Sequence, residues 1–362
     1  MLAAAMAVSL TACGGNSQTS TNTTAVSGTE AAKADAGADA TFKIGSIGPI
    51  TGAAAVYGEA VRDGVDLAVK EINAAGGING HQIEYNFQDD ENDVEKSINA
   101  YNTLKDWGMQ ILVGTTTSTP CISVAAESAA DNLFQITPSG SAVECVANDN
   151  VFRVCFSDPD QGSASAQYIG EHKLASKIAI IYDSSSVYST GITEKFTAEA
   201  PNQGLEIVSS EAFTAETNTD FTTQLQKAKD GGAEMAFLPI YYSEASLILK
   251  QADQMGFAPL FFGCDGMTQN FVKAYEENYG TTPIQFAADA YDAVYAVKVA
   301  AEDAGLTPDM AVSDMCEALK TSMTKIKTDG LTGLGMTWNA AGEPEKAPKA
   351  MKIANGVYTA ME

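Results

Sequence analysis

Histidine is almost absent from this 362-residue chain: His81 and His172 are the two it has, far apart in sequence. Neither lies at the spacing of a metal ligand. A Ser-His-Asp hydrolase is not excluded by count, but His81 sits where a turn enters a strand and His172 ends a helix, so both read as surface residues. Basic residues are scarce as well. The chain has 21 Lys and Arg against 46 Asp and Glu, a formal net charge of −25. Nucleic acid is therefore a poor partner, since its binding depends on Lys and Arg neutralising phosphates. An anionic lipid surface is disfavoured for the same reason. The acidic balance reads as a solvated surface that keeps the protein soluble. No Cys-x-x-Cys pair, metal-ligand cluster or cofactor-binding pattern is found, and the apolar stretch at 1–10 is too short to span a bilayer.

That stretch has the size of a signal-peptide core. It runs into Leu-Thr-Ala-Cys at 10–13, which resembles the lipobox of bacterial lipoproteins, with Cys13 as the lipidated residue. Residues 1–12 are thus expected to be a lipoprotein signal peptide. The location that follows is extracytoplasmic, on the bacterial cell membrane, tethered by lipid and not by a helix. The next segment, 13–40, is rich in Thr, Ser, Ala, Gly and Asp. It holds too little apolar surface to offset its ordering entropy and reads as a flexible tether. Residues 41–362 are long enough for two domains.

From residue 42 the chain alternates short apolar strands with helices. Strand patterns cover 42–47, 81–88, 110–113 and 133–137, and helical spacing covers 57–75, 94–107 and 121–132. The first helix stops at Gly76-Gly77. Residues 157–162 read as a crossover, after which a second set begins: strands at 177–182, 205–212, 235–238 and 260–262, and helices at 190–202, 221–230 and 243–255. Two long helices, 285–304 and 308–325, and short strands near 335–338 and 350–354 close the chain. This rhythm predicts α/β architecture: two doubly wound, Rossmann-like lobes joined by several crossings, with a cleft between them. The first lobe is expected to hold 41–158 and 283–330, the second 159–282 and 331–362.

Ligands of such sheets sit beyond the carboxyl ends of the strands. In the first lobe those ends carry a Thr/Ser run at 115–119 directly before a helix, and Ser139-Gly140-Ser141 after the 133–137 strand. Hydroxyls and N–H groups at helix starts suit a carboxylate. In the second lobe Asp265 lies at a strand end and suits an ammonium. Tyr57, Tyr188 and Tyr241 offer flat walls with a polar tip. A cation site facing an anion site describes an α-amino acid, and no general base or nucleophile–base pair is available to the cleft, so binding and not catalysis is expected. Five cysteines remain besides Cys13. Cys121 and Cys145 flank two of these loops and are the best-placed pair for a disulfide; the alternative is that all five are reduced core residues.

The sequence resembles the type I periplasmic binding proteins of the branched-chain amino acid ABC transporter family. The resemblance is carried by Ile-Gly-Ser-Ile-Gly-Pro-Ile-Thr-Gly at 44–52, Glu-Ile-Asn-Ala-Ala-Gly-Gly-Ile-Asn-Gly at 71–80, Thr-Pro-Ser-Gly-Ser at 137–141 and Phe-Ala-Ala-Asp-Ala-Tyr-Asp-Ala at 286–293. It implies the periplasmic-binding-protein type I fold and a monomeric, cofactor-free protein that delivers a free amino acid to an ABC permease. Leucine, isoleucine and valine are the first expectation. Another amino acid, a small amide or a sensory ectodomain are the alternatives. By the same resemblance Ser118 and Ser141 bind the ligand carboxylate. The Ser139 carbonyl and Asp265 receive the ammonium, with Ser141 adding a contact. Tyr57, Tyr188 and Tyr241 line the cleft, with Tyr57 and Thr117 near the ligand side chain. Family members often carry Glu where Asp265 stands, and an extra strand usually precedes the helix that starts near Phe271.

Overall fold

Nine parallel strands in two sheets organise the part of the chain that a computed structural model describes, residues 40–263, 269–347, 351–354 and 357–360. Residues 1–12, Cys13, most of the 13–40 tether, Cys264 and Asp265 lie outside the described residues. The first sheet forms from β1 (Phe42–Gly48), β2 (Ile83–Asp89), β3 (Ile111–Val113), β4 (Phe134–Thr137) and β5 (Val151–Arg153), in the order β2-β1-β3-β4-β5. The helices between them are α1 (Ala55–Ala74), α2 (Val94–Trp107) and α3 (Ser118–Ala130). After α4 (Asp158–Glu171) comes the second sheet: β6 (Lys177–Asp183), β7 (Glu206–Phe213), β8 (Met235–Phe237) and β9 (Leu260–Phe262), in the order β7-β6-β8-β9. Helices α5 (Val187–Glu199), α6 (Thr222–Asp230) and α7 (Tyr242–Gln254) connect its strands.

The strands are short and apolar because helices cover both faces. Phe42, Ile44, Ile111, Val113, Phe134 and Ile136 are buried in one core under α1 and the later helix α9 (Gln285–Asp303). Leu112, Ile47 and Leu104 lie in another on the opposite face. Helix α9 is rich in alanine so that α1 can approach it closely. A Cβ on Gly64 would stand 2.3 Å from the Ala287 carbonyl oxygen. Helix α1 ends one residue before Ala75, and Gly76 (φ 110°) and Gly77 (φ 81°) supply the turn that L residues resist.

Both sheets reverse direction next to their first strand, between β1 and β3 and between β6 and β8. Such a reversal opens a crevice at the carboxyl ends of the two strands. Those ends are Gly48 and Val113 in the first lobe, and Asp183 and Phe237 in the second.

The lobe boundaries differ from the expected ones in two places. Helix α8 (Gln269–Tyr279), expected in the second lobe, packs on the first: Tyr275 is buried among Ala60, Leu67, Ala287 and Ala288, and the Tyr279 hydroxyl donates to Asp66 at 2.7 Å. The segment from 331 also returns to the first lobe. Following α10 (Val312–Met323), the Asp292 carboxylate of α9 accepts the N–H groups of Leu331 and Thr332, both at 2.8 Å. Met336 and Trp338 then enter the first core. Trp338 belongs to β10 (Thr337–Trp338), which pairs antiparallel with β11 (Pro344–Glu345), and a hairpin of β12 (Met351–Ala354) and β13 (Val357–Ala360) follows. Burial of Trp338 and the capping role of Asp292 are tertiary effects that strand spacing does not register.

Candidate functional site

The loop after β3 delivers Ser118 as the first residue of α3. Thr117 stands before it in extended geometry (φ −111°, ψ 155°) but does not cap the helix with its side chain. Its hydroxyl donates to Asn92 at 2.7 Å instead. The Ser118 oxygen accepts two backbone N–H groups from the loop after β4, those of Ser141 at 3.3 Å and Ala142 at 3.2 Å. A hydroxyl has two acceptor lone pairs and one hydrogen. Both lone pairs are engaged, no described acceptor takes the hydrogen, and the group is thereby held as a donor. Ser118 and Ser141 are each 3% exposed. Ser118 and Ser141, both expected at the ligand carboxylate, are neighbours in the fold. Ser139 differs: its hydroxyl donates to the Thr116 carbonyl at 2.6 Å and holds the loop to the strand-3 crevice. Its contribution to a ligand can come from its backbone alone, as the resemblance implies.

Asp158 completes this group and was not among the expected site residues. It is the first residue of α4, where the chain changes lobes, in a stretch whose sequence pattern shows only a crossover. Its N–H donates to the Ser141 carbonyl at 2.9 Å. Its side chain rests against Gly191 of α5, where a Cβ would come within 3.2 Å of a carboxylate oxygen. It is 2% exposed, and neither carboxylate oxygen has a hydrogen-bond partner among the described residues. Burial pushes this carboxyl up to about 7, against the opposing pull of the Ser141 hydroxyl and the Arg153 charge and with a smaller push from Glu144. A buried, unpartnered acid is costly unless a cation meets it. The signal for it lay in Ser157-Asp158-Pro159, an N-cap followed by an acid in the first turn of a helix that opens the second lobe.

Aromatic rings close the space from both lobes. Tyr57 of α1 stacks on Phe286 of α9 at 4.3 Å between centroids. Across the cleft it lies 5.2 Å from Tyr241 and 5.4 Å from Tyr242 at the start of α7. Tyr188 of α5 stacks on Tyr241 at 5.3 Å. The Tyr57 hydroxyl accepts the Tyr242 N–H at 2.8 Å, one hydrogen bond between the lobes. Burial pushes the Tyr241 hydroxyl above its ordinary range, and the nearby Asp158 adds to this. Tyr57, Tyr188 and Tyr241 thus form one aromatic cluster between the lobes.

The expected disulfide is corrected. Cys121 and Cys145 are both free and buried, as are Cys155 and Cys316. The first two are neighbours, as their loops suggested. They share a thiol hydrogen bond that pulls Cys121 down to about 7, while Cys145 is pushed up and points toward the Ser118 carbonyl at 3.6 Å. Among the described residues no group of His, Cys, Asp and Glu could hold a metal ion, and no helix is long and apolar enough to cross a membrane.

Comparison with known proteins points the same way. The sequence profile of a family described as periplasmic binding protein matches residues 41–268. Leu/Ile/Val-binding protein homolog 3 of Brucella melitensis is 28% identical over 302 residues, 75% of this chain and 82% of that protein. The leucine-, isoleucine-, valine-, threonine-, and alanine-binding protein of Pseudomonas aeruginosa is 30% identical over 239 residues, 65% of this chain and 63% of that protein. Among solved structures, the branched-chain amino acid transporter substrate binding protein LivJ of Streptococcus pneumoniae, in complex with isoleucine, superposes with a TM-score of 0.79 at 28% identity. The match covers 89% of this chain and all of that one.

Proposed function

Since the chain belongs to the periplasmic binding protein family, whose members bind solutes and are not enzymes, we propose that it captures a free branched-chain amino acid between its lobes for delivery to an ABC permease. The observation that carries this reading is that Ser141 ties together Ser118, whose oxygen accepts its N–H, and Asp158, whose N–H its carbonyl accepts. A hydroxyl held as a donor and a buried carboxylate without a partner match the two ends of an α-amino acid. In this reading Ser118 and Ser141 take the ligand carboxylate. Asp158, the Ser139 carbonyl and Asp265 take the ammonium. Tyr57, Tyr188 and Tyr241 enclose an uncharged side chain. The protein works outside the cytoplasm as a monomer, anchored through lipid on Cys13.

The test is calorimetric titration of protein unfolded and refolded to strip bound ligand, against a panel of L-amino acids and 4-methyl-2-oxopentanoate. Saturable binding of leucine, isoleucine or valine, with no binding of the keto acid, supports the reading. Tight binding of the keto acid would remove the ammonium from the argument, and no binding of any amino acid would overturn it.

The ligand favours the closed form because only there does it touch both lobes. The Tyr57–Tyr242 hydrogen bond belongs to that form as well. A net hydrogen bond contributes about 1 kcal/mol, roughly fivefold in an equilibrium constant. Tyr57→Phe is therefore expected to raise the isoleucine Kd about fivefold through faster dissociation, with the association rate little changed. Stopped-flow kinetics separates the two rates.

A further inference from the structure

The geometry points to Arg153 as the positioning residue that shapes the loop receiving the ligand carboxylate, an inference that rests on the amino-acid reading above. Arg153 ends β5 at the edge of the first sheet and is 0% exposed. One guanidinium nitrogen, Nη1, donates to three successive carbonyls of the loop after β4: Gly140 at 3.2 Å, Ser141 at 2.5 Å and Ala142 at 3.1 Å. Drawing these carbonyls to one side turns the intervening N–H groups to the other, where the Ser118 oxygen accepts those of Ser141 and Ala142. The Ser141 carbonyl also receives the Asp158 N–H. One buried cation thus orders the two groups that would grip opposite ends of the ligand.

The cation is itself held from the far side. Nη2 donates to Glu343 at 2.9 Å. The Arg153 backbone N–H meets the Gly342 carbonyl at 3.0 Å, and the Trp338 indole N–H donates to the Arg153 carbonyl at 2.7 Å. The segment that returns to the first lobe after α10 therefore braces the loop. Burying a guanidinium is expensive, and apolar residues of like volume often serve stability as well or better. The planar fork of Arg153 takes the three loop carbonyls through Nη1 and Glu343 through Nη2, four acceptors that neither an apolar residue nor the single ammonium nitrogen of lysine can gather. The charge acts on Asp158 too. Burial and Glu144 push that carboxyl up, and the Ser141 hydroxyl and the Arg153 charge pull it down, while its own charge bears on Tyr241 and Cys155.

Three variants, Arg153→Gln, Arg153→Lys and Glu343→Gln, test this with two readouts. Without ligand, amide exchange of residues 138–146 is followed by mass spectrometry. Arg153→Gln is expected to speed exchange there at least tenfold, with the β1 and β3 amides unchanged. Lysine should fail to restore protection, and Glu343→Gln should give an intermediate rate. With isoleucine, the Kd is measured from pH 5.5 to 8.5. Affinity should fall on acidification as Asp158 takes up a proton. Arg153→Gln should weaken binding tenfold or more at pH 8 and move the midpoint of that fall to higher pH; lysine, keeping the charge, should return the midpoint. Unchanged exchange or an unmoved midpoint in Arg153→Gln overturns the inference. If that variant does not fold, unchanged exchange in both others does so. Wild-type protein that binds no isoleucine overturns the amino-acid reading, while the exchange measurement still decides the role of Arg153.

Discussion

Asp158→Asn should stabilise the ligand-free protein above neutral pH and weaken its affinity for isoleucine by at least about 100-fold. An unfolded aspartate titrates near 3.9, whereas burial holds the Asp158 carboxyl at about 7 in the fold. Between those values the folded protein keeps a proton that the unfolded chain has lost. Stability therefore falls as pH rises from about 4 to 7, and the full penalty stands above 7. A displacement of about three pH units corresponds to roughly 4 kcal/mol. Asparagine is nearly isosteric and never ionises, so the variant escapes this penalty. Thermal unfolding at pH 5 and pH 8 should show the variant gaining on wild type at the higher pH. Asp90, a second buried carboxyl pushed up to about 7, is present in both proteins, so the difference between them reports Asp158. On the proposed reading, the ligand ammonium is what the acid is kept for. Losing one partner of a buried, hydrogen-bonded charge pair costs 2–5 kcal/mol or more, hence the loss of affinity. Stabilisation without loss of binding would remove Asp158 from the ammonium site and leave the Ser139 carbonyl and Asp265.

The contrast between Asp158 and Ser118 shows what a sequence exposes and what it conceals. Strand periods, the Gly76-Gly77 stop and the hydroxyl run before α3 are local patterns, and the parallel sheets followed from them, while Ser118 and Ser141 were singled out through the family resemblance. Asp158 was hidden because its sequence neighbourhood reads as an ordinary helix start. Its burial comes from Gly191, 33 residues later, and its neighbour Ser141 lies in another loop. The same applies to the lobe boundaries. Helix α8 is amphipathic in either lobe, and only the alanines of α9 and the acids of α1 make the first lobe its place. Trp338 and Asp292 draw residues 331–345 back in a way that short strand patterns cannot announce. The cysteines show the converse. Adjacent loops brought Cys121 and Cys145 together as expected, but proximity in sequence pattern says nothing about oxidation.

Ser118→Ala should also lower affinity, by about 10- to 100-fold, with the opposite effect on the fold. The hydroxyl oxygen satisfies two buried N–H groups, and alanine leaves both without an acceptor. Each buried donor left unmet costs about 1–3 kcal/mol. The ligand carboxylate loses its held O–H donor as well, a charged hydrogen bond of about 1.5–3 kcal/mol. The Ser139-Gly140-Ser141 turn should loosen, so Tm should fall by several degrees as the Kd rises. Differential scanning calorimetry with and without isoleucine separates the two losses. A variant with unchanged Tm and weak binding would mean that water replaces the hydroxyl as acceptor, so that only the donor to the ligand was lost. Unchanged binding would exclude Ser118 from the carboxylate site. The opposite signs of the two stability changes carry the wider argument. Ser118 is already satisfied by the protein and offers the ligand its spare hydrogen, so the fold depends on it. Asp158 is unsatisfied until a cation arrives, so the fold bears it at a loss. A site with one group of each kind gains most of its binding energy where the ligand relieves the acid. On the proposed reading, the ammonium of an amino acid then removes a penalty that the ligand-free closed form carries.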